Sequence, residues 1–173
     1  MPQVATEAAA RQQLHLYFIE TLRMLPPELS LALHNPAIPK ARFGIGITMP
    51  CDDDRDDNDE TGQKYFDISY WITGTTPDTS DAYFDLVTKV WNSLGRPVRT
   101  DRKSRPRAAF TRTADGYGLT LQQSVNGYLS LSGSTPPFPS DALGGSPLPT
   151  TIERSGIASE DGDLRADDRN HPA

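Results

Sequence analysis

Seven carboxylates crowd into nine residues: Asp52, Asp53, Asp54, Asp56, Asp57, Asp59 and Glu60. Such a run invites a test for cation binding. A calcium loop takes oxygen ligands at alternate positions, a glycine at the sixth and a glutamate at the twelfth. Counting from Asp54 puts Asp59 sixth and Tyr65 twelfth. Counting from Asp57 puts Gly62 sixth but Ile68 twelfth. Neither register supplies the motif, so the run reads as a solvated loop whose charge helps set partner choice. The three histidines, His15, His34 and His171, are far apart and never at ligand spacing. The lone Cys51 allows no internal disulfide and no cysteine-based zinc site, and the carboxylates after it raise its pKa rather than activate it. Gly-x-Ser-x-Gly is absent, and Gly44-Ile45-Gly46 sits inside an apolar alternation with no helix following, unlike a phosphate loop. No catalytic residue, metal or cofactor is expected.

Charge narrows the partners. The chain of 173 residues carries a net charge of −6, so nucleic acid is not an expected partner. Cations nevertheless cluster at Arg96, Arg99, Arg102, Lys103, Arg105, Arg107 and Arg112. With only Phe110 among them, the stretch lacks the aromatic interleaving of a nucleic-acid surface and reads as an edge-protecting strand. An acidic pole and a basic pole are expected. No apolar run of about 18 residues is present, so no transmembrane span is expected. Met1–Ala10 lacks the basic start and apolar stretch of a signal peptide.

The elements that position these residues follow from periodicity. Leu14, Phe18, Leu22 and Leu25 predict a helix over Thr6–Leu25, capped by Thr6 and ended by Pro26-Pro27. Glu28–Pro39 reads as irregular. Phe43, Ile45, Ile47 and Met49 alternate with small residues and predict a strand over Arg42–Met49 with that set buried. Its two glycines suit the close approach of a neighbour. A second strand over Tyr65–Thr73 places Phe66, Ile68, Tyr70 and Ile72 on one face and Tyr65, Asp67, Ser69 and Trp71 on the other. A helix over Thr79–Leu94, capped by Asp78 or Thr79, presents Tyr83, Leu86, Val87, Val90, Trp91 and Leu94, and Gly95 ends it. Strands follow at Pro97–Arg102, Ala108–Thr113, around Tyr117–Leu121 and at Tyr128–Ser132. Asp115-Gly116 marks a turn, and Asn126-Gly127 predicts a type I′ hairpin. Pro136, Pro137 and Pro139 end regular structure, and no internal repeat is visible.

The order α-β-β-α-β-β-β-β predicts an α+β fold, an antiparallel sheet of about five to six strands with two helices packed on one face. Residues 1–139 form the expected domain. Residues 140–173, rich in Gly, Pro, Ser and Asp, read as a disordered tail with loose docking around Leu143–Ile152. If the helices cover Phe66 and Ile72, then Tyr65, Ser69 and Trp71 line an open sheet face. These three, with Asp52, Asp53, Asp54, Asp56 and Asp57, are the candidate binding residues.

The second half resembles the LppA-like family of small actinobacterial cell-envelope lipoproteins, whose function is not established. The matching pieces are the helix Asp81–Leu94 with Gly95, then Asp115-Gly116-Tyr117-Gly118-Leu119, Asn126-Gly127-Tyr128-Leu129-Ser130-Leu131 and Ser134-Thr135-Pro136-Pro137. Cys51 before the acidic loop also fits. The family carries a lipid-modified leader cysteine, which Met1–Ala10 does not contain, and tends to a second cysteine where this chain has Ser134. The resemblance implies a non-enzymatic envelope-associated binding or accessory protein. Its partner would be a protein or envelope component, and its only membrane link a lipid anchor upstream of Met1. Without such a leader the expected place is the cytoplasm. Two other readings stay open: an intracellular acidic inhibitor or immunity-type protein, and a small-ligand carrier or enzyme with a helix–sheet pocket. A monomer is expected.

Overall fold

The computed structural model describes residues 4–51 and 62–155. The candidate residues Asp52, Asp53, Asp54, Asp56 and Asp57 therefore lie outside the described residues, as do residues 156–173.

The first helix, α1 (Glu7–Arg23), starts where the sequence places it. Thr6 is extended and its hydroxyl accepts from the Ala9 N–H at 3.1 Å, satisfying one of the orphan donors of the first turn. Leu14, Phe18 and Leu22 are buried along one stripe. The second helix, α2 (Ser80–Ser93), buries Phe84, Val87, Val90 and Trp91, with Tyr83, Leu86 and Leu94 at the margin. Thr79 occupies its N-cap position without capping it. Its hydroxyl instead accepts from the Thr76 N–H at 2.8 Å, closing the preceding turn. Gly95, at φ +78, ends the helix.

The spine of the sheet is β3 (Gln63–Thr73). Around it lie β1 (Ser30–Ala32), β2 (Ile47–Pro50), β4 (Arg99–Thr100), β5 (Ala108–Arg112), β6 (Gly118–Gln123), β7 (Leu129–Ser134), β8 (Phe138–Pro139) and β9 (Thr151–Glu153). Every pairing is antiparallel, and the main path runs β4-β5-β6-β7-β3-β1-β9. Asp67 pairs with both Ile47 and Ser134, and Trp71 with both Ala32 and Ser130. Thus β1 and β2 share one edge of β3, while β7 and β8 share the other. The fold is α+β with a nine-stranded antiparallel sheet among the described residues, more strands than expected.

The core lies between the helices and one sheet face. Ile68, Gly133 and Leu119 form one cross-strand row, and Tyr70, Leu131, Leu121 and Ala109 the next. Gly133 is where α1 comes closest. A Cβ there would stand 2.6 Å from Leu14 Cδ1 and 2.7 Å from Phe18 Cζ. Any side chain there would force Leu14 and Phe18 to shift. The Phe18 ring meets the edge of Tyr70 at 5.4 Å, and Trp91 Nε1 donates to Thr21 Oγ1 at 3.5 Å, joining the two helices.

Four expectations about element boundaries change. Glu28–Pro39 is not wholly irregular, because Leu29, Leu31 and Leu33 are buried around β1. The strand expected over Arg42–Met49 begins only at Ile47, and its supposed core residues Ile45 and Ile47 are 58% and 57% exposed. The cause is Gly46, whose positive φ breaks the alternation and whose missing Cβ admits the Phe66 ring. The proline-rich exit still pairs with β3 through β8, and Phe138 is fully buried. Residues 140–155 belong to the fold: β9 pairs with β1, Leu148 and Ile152 are buried, and Tyr70 Oη donates to the Pro149 carbonyl at 2.8 Å.

The hairpins joining β5 to β6 and β6 to β7 share one loop geometry. Thr113-Ala114-Asp115-Gly116-Tyr117 and Ser124-Val125-Asn126-Gly127-Tyr128 each close through the N–H of the first residue on the carbonyl of the fifth, 2.8 Å in both. In each, the first residue's hydroxyl accepts from the fifth residue's N–H. Gly116 and Gly127 have positive φ, and Asn126 does not. The expected type I′ turn is therefore a three-residue loop with glycine in the left-handed position.

Candidate binding face

The face of β3 turned away from the helices carries Asp67, Ser69 and Trp71, and cross-strand register extends each into a row. Arg112, Gly118, Ser134, Asp67 and Ile47 form the first. Arg99, Phe110, Thr120, Ser132 and Ser69 form the second. Ala108, Gln122, Ser130, Trp71, Ala32 and Thr151 form the third. The middle of this face is made of hydroxyls and one amide, with aromatic rings at its margins.

The three predicted residues that are described, Ser69, Trp71 and Tyr65, each have a definite place. Ser69 sits at the centre, its Oγ 2.6 Å from Ser132 Oγ. Trp71 is half-buried under the segment before β2: its ring lies 4.8 Å from that of Phe43, and its Nε1 donates to the Ala41 carbonyl at 2.7 Å. Tyr65 is paired across from Met49, and its hydroxyl approaches Met49 Sδ at 3.8 Å. Six residues of extended strand separate Tyr65 from Trp71, about 20 Å. The three share a face but not a pocket. Phe43, Trp71, Gln122, Tyr128 and Ser130 help wall a hollow of about 360 Å³. Arg99, Phe110, Arg112, Thr120 and Ser134 help wall another of about 450 Å³.

The basic stretch divides between the two sides of the sheet. Arg96 is spent on Glu20 at 2.7 Å, and Arg107 on Asp85 at 2.9 Å with its guanidinium over the Phe84 ring. Arg105 reaches Asp81 at 3.4 Å. These three brace the helices. Arg99, on the edge strand β4, and Arg112 turn to the open face instead. Burial raises the pKa of the Asp67 carboxyl, and the hydrogen bond from Ser134 Oγ only partly offsets that.

A second polar cluster ties three segments together at the start of α1. Glu7 is almost completely buried. Its carboxylate accepts from Thr48 Oγ1 at 2.6 Å, from the Gly144 N–H at 2.9 Å and from the Arg11 guanidinium at 2.6 Å. Burial alone would push its pKa up, but these donors outweigh burial and hold it below the ordinary glutamate value. Sequence reading saw Glu7 only as a first-turn acid and missed this role.

Sequence reading also missed Thr120, Gln122, Ser130, Ser132 and Ser134 as face residues. The signal was present. Thr120 and Gln122 alternate with Leu119 and Leu121, and the serines alternate with Leu129 and Leu131. Among the described residues no helix is long and apolar enough to cross a membrane. No family model, curated protein or solved structure matches this chain.

Proposed function

We propose that this chain is a non-enzymatic binding or accessory protein of the cell envelope that engages its partner through the helix-free face of the sheet. One observation carries the binding part. Both helices pack on the same side, and the other side presents Ser69, Ser132, Thr120 and Gln122 between the aromatic margins Phe43–Trp71 and Phe110. Polar groups on a rigid sheet are held in fixed positions, so little side-chain freedom is lost on docking. Rings at the margins supply contact area of the kind that anchors interfaces. The envelope location is supported by the resemblance of the helix and hairpin motifs to the lipoprotein family.

Two experiments test the two parts. A photocrosslinking residue in place of Gln122, which is exposed on the open face, is expected to capture a defined partner in cells. The same residue in place of Gln12, exposed on α1, is expected to capture none. Equal capture from both positions would sink the face. Fractionation of native cells, with mass spectrometry of the mature N-terminus, is expected to find a longer, lipidated form with the envelope. A soluble cytoplasmic protein beginning near Met1 would overturn the location.

A further inference from the structure

Among the described residues half of the arginines pair with carboxylates, and Arg23, Arg42, Arg99, Arg112 and Arg154 do not. Arg11 pairs with Glu7, Arg96 with Glu20, Arg102 with Asp101, Arg105 with Asp81, and Arg107 with Asp81 and Asp85. Arg99 and Arg112 have no carboxylate partner among the described residues, and both line the same hollow of about 450 Å³ on the outer face of β4, β5 and β6.

Neither side chain is simply splayed into water. Arg112 Nη1 donates to the Gly116 carbonyl at 2.9 Å, which fixes the guanidinium relative to the hairpin loop. The same group lies over Gly118, in ordinary van der Waals range at 3.8 Å from where a Cβ would stand. Arg99 leans over the Phe110 ring, 5.8 Å from its centroid. Thr120, between them on β6, brings a hydroxyl that makes no other hydrogen bond among the described residues. None of the residues that line the hollow is an acid. The nearest carboxylate along the row, Asp67, accepts from Ser134 and is turned to that neighbour.

We propose that this hollow is a binding site for a phosphate-type oxyanion, with Arg99 and Arg112 as a two-sided clamp and Thr120 as a third donor. The proposal names a ligand class for part of the face proposed above and so rests on that reading. Two guanidinium groups match the charge of a phosphate dianion, whereas one carboxylate would leave one of them uncompensated. Arginine's planar fork suits the bidentate geometry of phosphate oxygens. The hollow is open and within the size range of small-molecule sites, so the oxyanion can be a substituent on a larger molecule whose apolar part meets Phe110.

The test is a titration of the full chain, labelled with nitrogen-15, with inorganic phosphate and separately with acetate. Saturable shifts are expected at the amides of Arg99, Phe110, Arg112 and Thr120 with phosphate, and none with acetate at equal ionic strength. Arg112→Ala and Arg99→Ala are each expected to weaken the phosphate response by about tenfold, the loss typical of one charge-assisted hydrogen-bonded contact. Lys103→Ala, an exposed cation outside the hollow, is expected to leave it unchanged. Arg112→Ala also removes the bond to Gly116. Should it disturb the hairpin, Arg112→Lys keeps the charge without the fork, and Arg99→Ala touches no backbone bond. Equal responses to acetate and phosphate, unsaturable shifts, or indifference to Arg99→Ala would overturn the site. Such a result removes the oxyanion site alone. The wider binding reading fails separately, by equal crosslinking from Gln122 and Gln12.

Discussion

The two faces of β3 ask different things of the same strand. Phe66, Ile68, Tyr70 and Ile72 are buried against the helices, where they stabilise the fold by removing apolar surface from water. Asp67, Ser69 and Trp71 alternate with them and are only half-buried. Their contacts run sideways, to Ser134, Ser132 and the Ala41–Phe43 segment, rather than into a core. The helix side holds the chain together, and the open side is left to other uses. If that contrast is right, substitutions on the two faces differ in size and in kind.

The largest effect belongs to the helix side. Phe18 is fully buried and touches both Tyr70 and the bare backbone at Gly133. Phe18→Ala is expected to destabilise the fold by about 3–5 kcal/mol, as measured by urea unfolding. A loss below about 1 kcal/mol would mean that α1 is not packed on the sheet as described.

Next comes Glu7, which joins α1 to β2 through Thr48 and to the C-terminal segment through Gly144. Glu7→Gln is expected to cost about 1–3 kcal/mol at neutral pH, since charge-assisted bonds are lost while their donors stay in place. The folded-state pKa lies below the ordinary value. The stabilisation is therefore fully present above the unfolded pKa, about 4.3, and is lost as pH falls through the lower folded value. The wild-type and variant unfolding midpoints should converge in acid, and a gap unchanged across that range would rule out the carboxylate as its source.

Ser69 and Ser132 bring the comparison to the open face. Each single change to alanine is expected to cost no more than about 1 kcal/mol. The double variant should cost less than the sum, because one hydroxyl–hydroxyl bond is counted in both singles. Strict additivity in urea melts would show that the 2.6 Å contact contributes nothing.

What was readable in advance follows the same division. Wherever one face of an element is apolar and continuous, as in α1, α2 and β3, periodicity placed it within a residue or two. The failures have local causes. At Gly46 a positive φ reverses the alternation, so Ile45 and Ile47 look like core residues and are not. In residues 140–155 only Leu148 and Ile152 are buried, too sparse a pattern to predict more than loose docking. What fixes that segment is hydrogen bonding to Glu7 and Tyr70, which composition does not encode. Ser69 and Trp71 were identifiable as face residues because they alternate with a buried set. The hollow at Arg99 and Arg112 was not, because it joins β4 to β6 through register, and a charge run does not reveal which of its members already have partners.

The smallest effect, and the one most specific to the open face, is at Asp67. Burial raises its pKa in the folded chain above the unfolded value, so the folded state binds the proton more tightly. Wild-type stability from this group then falls as pH rises from the unfolded value, about 3.9, through the folded one. Asp67→Asn carries no charge to desolvate and can still accept from Ser134 through Oδ1. The variant is therefore expected to match the wild type near pH 4 and to become slightly more stable than it at neutral pH, as read from urea midpoints at both. A variant less stable than the wild type at neutral pH would mean that the charged Ser134–Asp67 bond outweighs desolvation. The ionised carboxylate would then be a stabilising part of the open face's framework.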